Sequence, residues 1–351
     1  MAVRLKMTFL FIPLPSTAAS RAGIDNQTLP VVVVALLLAL SAPTWASELV
    51  IYSGRKESAF KPVTELFMKH TGITVSLKTG KTSGLANEII QERQRPRADV
   101  FVATEAGICE LLAKEGLLEP YTSPAARPIP SEYKSARGLW IGISGRARII
   151  LYNTRLVKKD EVPTSVLDLA DARWKGKVAI AATRERTTLS WLAGLVQVMG
   201  ETKAKAYIDS LGGNGLTIVP DNSDVWRGVG SGEFAVGLTN SPNYYLALEA
   251  GLPVGVVYPD QGPAGMGVLV NPNVVTIVRG ARNLPQAKRF VDFLLSSQVQ
   301  QILVHHAFEI PLVSGTDPGK VRPLGAFRAM KISQERLADL EDRTIKLFPG
   351  F

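Results

Sequence analysis

Basic and hydroxyl side chains recur in this sequence where a predicted strand gives way to a predicted helix. Arg55 and Lys56 follow the first strand, Ser83 follows the second, and Thr187 and Thr188 precede a helix further along the chain. The free N–H groups at a helix N-terminus attract anions, and cationic or hydroxyl groups beside them suit an oxyanion. Taken singly, each basic residue also fits a solvated side chain and each hydroxyl an ordinary helix cap. Their shared position favours a site for a negatively charged solute.

Two arginines lie within an apolar strand predicted over residues 141–152. Because side chains alternate along a strand, Arg146, Arg148 and Tyr152 share one face. A buried arginine is costly unless a carboxylate or an anionic ligand balances it. We therefore expect these two arginines to hold an anion.

Motifs of covalent and nucleotide chemistry are missing from the sequence. Gly80-Lys81-Thr82 ends like a phosphate-binding loop, but Val75 stands where that motif requires glycine. No nucleophile–base motif or zinc-protease motif is present. Cys109 lies in an apolar helical pattern typical of a core thiol. The sequence thus predicts a binding protein without a cofactor, with a carboxylate-based enzyme as the remote alternative.

The chain has 351 residues, with 40 Lys and Arg against 31 Asp and Glu, one Cys and three His. An apolar run at residues 30–40 follows basic residues and precedes Thr44 and Ala46, the small residues of a signal-peptidase site. We predict a signal peptide over residues 1–46, the alternative being an N-terminal membrane anchor. Its removal takes away three basic residues and one acidic residue, lowering the net charge from +9 to +7. Ser47, rather than Cys, follows the site, so we expect a periplasmic protein without a lipid anchor.

Strands alternate with helices in two successive blocks, which is typical of α/β units built on parallel strands. Long strands join the blocks, so the sequence predicts two lobes with a cleft between them. Ligands of such sheets bind beyond the carboxyl ends of the strands. The basic and hydroxyl residues named above follow strands of both blocks.

Several segments resemble the periplasmic substrate-binding proteins of ABC importers, in order and in spacing. Within that group the sequence is most similar to the ferric-iron type, extracellular solute-binding family 1. The matching segments are IYSGRKE (51–57), RADVFVATEAG (97–107), WIGISGRARIILYNT (140–154), LDLADARWKGKVAIA (167–181), GLTNSPNYYLALEAG (237–251), VYPDQGPAGMGVLVNPN (257–273) and AKRFVDFLLSSQVQQIL (287–303).

This resemblance implies a type II periplasmic-binding-protein fold, in which two lobes are joined by two crossing strands and close on a ligand. The first lobe would comprise residues 47–143 and 264–351, and the second residues 144–263. The partner would be the membrane permease of an ABC importer. A monomer is expected, and no nucleic acid is expected as a partner.

Ferric iron is the transported ligand that the resemblance implies, with or without a synergistic anion. Fe³⁺ is a hard cation suited to phenolate and carboxylate oxygens. The metal ligands implied in this sequence are Glu105, Tyr152, Tyr244 and Tyr245. The sequence departs from the family here, because counting back from Gly251 places the family's tyrosine pair on Ser241 and Pro242.

The alternative ligand is a small organic anion that bears a phosphate, phosphonate or carboxylate. The residues predicted to bind this anion, or an anion beside iron, are Arg55, Lys56, Ser83, Arg146, Arg148, Thr187 and Thr188, with neutral hydrogen bonds from Asn222, Ser223, Asn240 and Asn243.

Overall fold

The computed structural model of the protein describes residues 48–351, so the predicted signal peptide lies outside the described residues. The strands of this part are β1 (Leu49–Ser53), β2 (Val75–Thr79), β3 (Val100–Ala103), β4 (Leu118–Glu119), β5 (Ile141–Asn153), β6 (Val178–Ala181), β7 (Thr217–Val219), β8 (Val236–Asn240), β9 (Val254–Val257) and β10 (Val270–Val278).

The α-helices of the same residues alternate with these strands. They are α1 (Glu57–Thr71), α2 (Thr82–Gln91), α3 (Gly107–Lys114), α4 (Arg186–Met199), α5 (Glu201–Gly213), α6 (Asn222–Ser231), α7 (Ser241–Glu249), α8 (Leu284–Leu294), α9 (Ser297–Ala307) and α10 (Gln334–Leu347). Between residues 48 and 351, no helix is long and apolar enough to cross a membrane.

The strands form one mixed sheet in the order β2-β1-β3-β10-β5-β8-β6-β7, with β4 beside β10 and β9 beside β5. Strands β1, β2 and β3 are parallel, as are β6, β7 and β8. Each parallel set leads from its carboxyl ends into helices, so helix N-termini collect at the same edge of the sheet. The α/β class predicted from the sequence is confirmed.

Strand β5 connects the two parallel sets. Its first half pairs with β10 and its second half pairs with β8 and β9. Two glycines allow other chain segments to approach the strand closely. A Cβ on Gly142 would lie 2.6 Å from the carbonyl oxygen of Tyr133, and one on Gly145 would lie 2.9 Å from Cγ1 of Val270. A larger side chain at either position would clash with the neighbouring segment, so glycine is needed at both.

Apolar side chains at helical spacing secure the helices to the sheet. In α1, Phe60, Val63 and Phe67 are fully buried, and Phe67 meets Phe290 of α8 edge to face at 5.0 Å between ring centroids. Gly72 ends α1 in the left-handed conformation that glycine adopts without a side-chain clash (φ 70°). On the other side of β5, Trp191 of α4 is the largest buried side chain.

Helix α10 packs against α3 and α4, which belong to the two different parallel sets. Its Leu337, together with Phe348 just after it, joins the apolar cluster around Trp191. The predicted lobe boundaries placed residues 264–351 in the first lobe. Those boundaries stay a prediction, and α10 contacts elements of both predicted lobes.

Two local predictions are wrong, and two helices were not predicted. Thr187 and Thr188 lie in the first turn of α4, which begins at Arg186, rather than before the helix. Strand β2 begins at Val75, two residues later than the alternation of residues 73–77 predicts. Helices α6 and α7 were not predicted. The apolar residues of α7 do not fall on one face, which removes the periodic signal of a helix.

Candidate functional site

A cleft of about 830 Å³ opens where the helix N-termini collect. Six Lys and Arg side chains line it, against two Glu and one Asp, which makes its wall cationic. Of the predicted anion-binding residues, nine line the cleft: Arg55, Lys56, Ser83, Arg146, Thr187, Asn222, Ser223, Asn240 and Asn243. The other two, Arg148 and Thr188, are buried beneath it and contact lining residues.

One wall of the cleft carries a buried ion pair. Arg55 donates from Nη1 to Oε2 of Glu309 at 2.8 Å, and both side chains are almost fully buried. Ser144 donates to the same carboxylate oxygen at 2.5 Å and accepts a hydrogen bond from Asn273 at 2.9 Å. Residues from β5, β10 and the segment after α9 thus fix Arg55 in place, and its charge is already balanced.

Arg146 lines the cleft without such a partner. Its Nη2 donates to the carbonyl oxygen of Thr104, and its buried Nε has no hydrogen-bond partner. No carboxylate within residues 48–351 forms an ion pair with it. Burial lowers the pKa of Arg146 below its ordinary value, with Glu309 opposing that effect. An anion in the cleft would supply the missing counter-charge.

Arg148 is fully buried and also lies outside every ion pair of the described residues. Its Nη1 donates to the Oδ1 atoms of Asn222 at 3.1 Å and Asn240 at 3.5 Å, and its Nη2 donates to Oγ1 of Thr188 at 3.1 Å. Burial lowers its pKa to about 9. Arg148 therefore acts on the cleft through the amides above it.

Four helices direct uncapped N-termini toward the cleft. Helices α1, α2, α4 and α7 have no side-chain cap at their first turn, whereas Asp221 caps α6 by accepting from the N–H groups of Ser223 and Asp224. Lining residues lie at or beside each uncapped end, including Lys56, Ser83 and Thr187. Free N–H groups and the positive end of the helix dipole both favour an anion here.

Arg186 at the start of α4 lies between two carboxylates from other parts of the fold. Its Nε donates to Glu105 at 3.0 Å, and its Nη2 donates to Glu341 of α10. Although burial opposes it, the attraction of both carboxylates raises the pKa of Arg186 above its ordinary value. Burial and repulsion from Glu105 raise the pKa of Glu341 to about 7, with Arg186 opposing them. This triad ties the predicted first lobe, the second lobe and α10 together.

Three of the four predicted metal ligands are tyrosines that group away from the cleft wall. Tyr244 and Tyr245 meet edge to face at 5.1 Å between centroids, and Tyr245 stacks on Phe308 at 5.3 Å. The Tyr245 hydroxyl accepts from the backbone N–H of Arg322 at 3.1 Å. Burial raises the pKa of Tyr244, with smaller contributions from its tyrosine neighbours Tyr245 and Tyr152. The raised pKa of Tyr244 disfavours the phenolate form that binds iron.

The fourth predicted ligand, Glu105, is buried and occupied by Arg186 and by the N–H of Ile108. Thus none of Glu105, Tyr152, Tyr244 and Tyr245 is among the residues that line the cleft. Within residues 48–351, no group of three or more His, Cys, Asp or Glu side chains could hold a metal ion. The assignment of these four residues as metal ligands stays a prediction.

The cleft also contains residues that sequence reasoning did not select. These are Glu309, Asn273 and His306. Glu309 and Asn273 contact Ser144, which lies more than a hundred residues away in the sequence, so local patterns did not mark them. Arg186, which is next to Thr187 in the sequence, was not among the predicted site residues. A signal for α6 was present, because Asp221 and Asp224 have the spacing of a capping box.

Comparison with known proteins gives one family match and several relatives. The model of the family described as bacterial extracellular solute-binding protein matches residues 95–333. The iron uptake protein A1 of Synechocystis is 31% identical over 309 residues, covering 84% of this chain and 84% of that protein.

Solved structures share the fold over most of the chain. Iron-bound HitA from Pseudomonas aeruginosa matches with a TM-score of 0.79 and 26% identity, covering 87% of this chain and 99% of that one. The Trichodesmium protein IdiA (FutA), in complex with iron and citrate ligands, has a TM-score of 0.76 and 28% identity, and the match covers 86% of this chain and 98% of that one. AfuA from Actinobacillus pleuropneumoniae, with fructose-6-phosphate bound, has a TM-score of 0.75 and 25% identity, with coverage of 86% of this chain and 98% of that one. The predicted two-lobed periplasmic-binding-protein fold is thereby confirmed.

Proposed function

Because this chain belongs to the family of bacterial extracellular solute-binding proteins, we propose that it is the periplasmic binding component of an ABC importer of the ferric-iron type. Its cargo is ferric iron carried together with an anion, and it delivers that cargo to a membrane permease. The names of the relatives support this reading, since they describe an iron uptake protein and structures with bound iron. The family that matches this chain is described as a solute-binding protein, so we expect binding without turnover.

The observation that carries the proposal is the unbalanced positive charge of the cleft. Arg146 lines it without a carboxylate partner, and uncapped helix N-termini surround it. Groups of this kind bind oxyanions and repel a bare cation. The protein therefore binds the anion, and the oxygens of the anion coordinate the iron. The bound state of the Trichodesmium relative, with iron and citrate, has this composition.

Calorimetry with three probes tests the proposal: ferric citrate, citrate alone and freshly dissolved ferric salt. We expect ferric citrate to bind the purified protein stoichiometrically and ferric salt alone to bind at least tenfold more weakly, a difference of about 1.4 kcal/mol. No phenolate–iron charge-transfer band should develop. A band that appears with ferric salt, and is lost in Tyr244→Phe with Tyr245→Phe, would instead establish the tyrosines as ligands.

A second candidate function is the binding of an organic anion without iron. The specific observation in its favour is that the predicted phenolate and carboxylate ligands lie outside the cleft lining. The structural relative with bound fructose-6-phosphate has a similar TM-score to the iron-bound relatives. Fructose-6-phosphate and 2-aminoethylphosphonate are the probes for this alternative. Tight binding of either, with no binding of ferric citrate, would replace the iron proposal.

The proposal includes the organisation predicted from the sequence. We expect secretion with cleavage after Ala46, a monomer, and lobes formed by residues 47–143 with 264–351 and by residues 144–263. N-terminal sequencing of protein from the periplasm tests the cleavage site, and light scattering tests the monomer. Scattering profiles with and without cargo test whether the two predicted lobes close.

A further inference from the structure

The amides of Asn222 and Asn240 have a fixed orientation above Arg148. A guanidinium group can only donate hydrogen bonds, so the amide atoms that face it must be the oxygens. Arg148 lies 3.1 Å from Oδ1 of Asn222 and 3.5 Å from Oδ1 of Asn240. The carboxylate of Glu185 confirms the orientation of Asn222, because it can only accept and lies 3.1 Å from Nδ2.

Both amide NH₂ groups consequently face Thr187. The Nδ2 atoms of Asn222 and Asn240 lie 3.3 Å and 3.2 Å from its Oγ1 and donate to it. A hydroxyl has two acceptor lone pairs and one hydrogen, so these two bonds occupy its accepting capacity. No acceptor among the described residues takes the remaining hydrogen. Since Thr187 lines the cleft, its hydroxyl can act there only as a donor.

The positive charge of Arg148 sets the orientation of the two amides. Arg148 is 1% exposed, stacks near Trp191 at 5.9 Å from the ring centroid, and lies outside every ion pair of the described residues. A buried cation without a counter-charge lowers the stability of the fold. Its presence is therefore best explained by a role in the cleft. It attracts the amide oxygens and an anion above them at once.

We propose that Arg148 is a positioning residue which, through Asn222 and Asn240, makes Thr187 a donor only, so that the site beside Thr187 favours the dianionic form of a phosphate-like oxyanion over the monoanionic form that carries one more proton. The inference rests on the proposed function only in taking the cleft as the cargo site. It adds the protonation state of the group that the cleft selects.

Inorganic phosphate and sulfate test the proposal as a matched pair. Sulfate carries no proton near neutral pH, whereas phosphate loses its second proton there. We expect the affinity of the wild-type protein for phosphate, relative to sulfate, to rise at least about tenfold between about pH 5 and about pH 8, the size of effect given by a hydrogen bond to a charged group.

In Arg148→Gln the side chain can accept as well as donate, so the amide of Asn240 is free to turn and release one acceptor site of Thr187, whereas Glu185 still holds the amide of Asn222. The rise should then shrink below about threefold, because Thr187 can accept from the protonated anion. Thr187→Val should shrink the rise in the same way, and Thr187→Ser, which keeps the hydroxyl, should preserve it. A purely structural role of Arg148 would change both affinities equally at every pH. Should Arg148→Gln fail to fold by circular dichroism, the Thr187→Val and Thr187→Ser pair still decides the outcome.

Three results would overturn the inference. The first is a flat phosphate-to-sulfate ratio in the wild-type protein, and the second is an Arg148→Gln variant that keeps the full rise. The third is the absence of binding by either anion. If ferric citrate binds in that last case, the proposed function stands alone; if phosphate behaves as expected and ferric citrate does not bind, the inference stands without the iron cargo.

Discussion

Arg55 and Arg186 line the cleft and each forms an ion pair with a carboxylate. Arg146, which lines the cleft, and Arg148, which is buried beneath it, form no ion pair within the described part of the chain. Glu309 balances Arg55, and Glu105 with Glu341 balances Arg186. The first two arginines connect distant parts of the chain, and carboxylates of the protein balance their charge. The second two carry charge that the protein leaves unbalanced. The difference separates arginines that hold the fold from arginines that we propose serve the cargo.

The largest effect should come from breaking a balanced arginine. Glu309→Gln leaves the buried guanidinium of Arg55 without its carboxylate, so we expect the free energy of unfolding to fall by about 3–5 kcal/mol. Denaturant unfolding by circular dichroism measures it. Glu335→Gln, at an exposed position of α10, is the control and should change stability by less than about 0.5 kcal/mol. A fall below 1 kcal/mol would show that the pair contributes little to the fold.

Removing an unbalanced arginine should have the opposite pattern. Arg146→Met takes away a charge without a partner, so stability should stay the same or rise. Affinity for the anionic cargo should fall about 100-fold, equivalent to about 2.7 kcal/mol. Calorimetry and thermal unfolding of the same sample measure both quantities. Arg155→Met, an exposed arginine just after β5, is the control. Loss of stability with unchanged affinity would contradict the comparison.

The triad around Arg186 should make stability depend on pH. The folded pKa of Glu341, about 7, exceeds the ordinary 4.5, so the folded protein binds this proton more tightly than the unfolded chain. Stability linked to this group is therefore greatest below about pH 4.5, declines as the pH rises to about 7, and is then constant. Glu341→Gln should reduce that decline, which is on the order of 3 kcal/mol across the window. Thermal unfolding at several pH values measures the decline in stability. If the decline is the same in Glu341→Gln and in the wild-type protein, Glu341 is not its cause.

The smallest effects should come from the tyrosine group. Tyr245→Phe removes an acceptor for the backbone N–H of Arg322, and we expect a loss of about 1 kcal/mol in stability. Tyr244→Phe should cost less. Neither substitution should change the affinity for ferric citrate by more than about twofold, or about 0.4 kcal/mol. A larger change would support the prediction that these phenols are cargo ligands.

Much of the fold follows from periodic patterns in the sequence. Strand β5 and the alternation of strands with helices were predicted because apolar residues repeat with a period of two or near four. Hydroxyl and basic residues after strands led to part of the cleft lining, since the carboxyl ends of parallel strands share one edge. Lys56 and Thr187 were found in this way, and Arg146 was found from the alternation along β5.

The remainder depends on geometry that short-range patterns do not encode. Helix α7 starts at Ser241, so Asn243 and Leu246 face the cleft, being three positions apart on one side of the helix. Tyr245 is two positions from Asn243 and points to the opposite side. Partners such as Glu309 and Glu341 come from far along the chain. A sequence shows that a carboxylate exists, but the fold decides which arginine it meets.

The place of α10 also sets an order for the assembly of the molecule. Ribosomes make proteins from the N-terminus onward, so all the strands and the helices α3 and α4 are synthesised before α10. The two sides of the cleft can therefore fold before the helix that spans them exists. Glu341 completes the contact with Arg186 only when α10 docks. A chain that ends before α10 would lack Glu341 and leave Arg186 with Glu105 as its carboxylate partner.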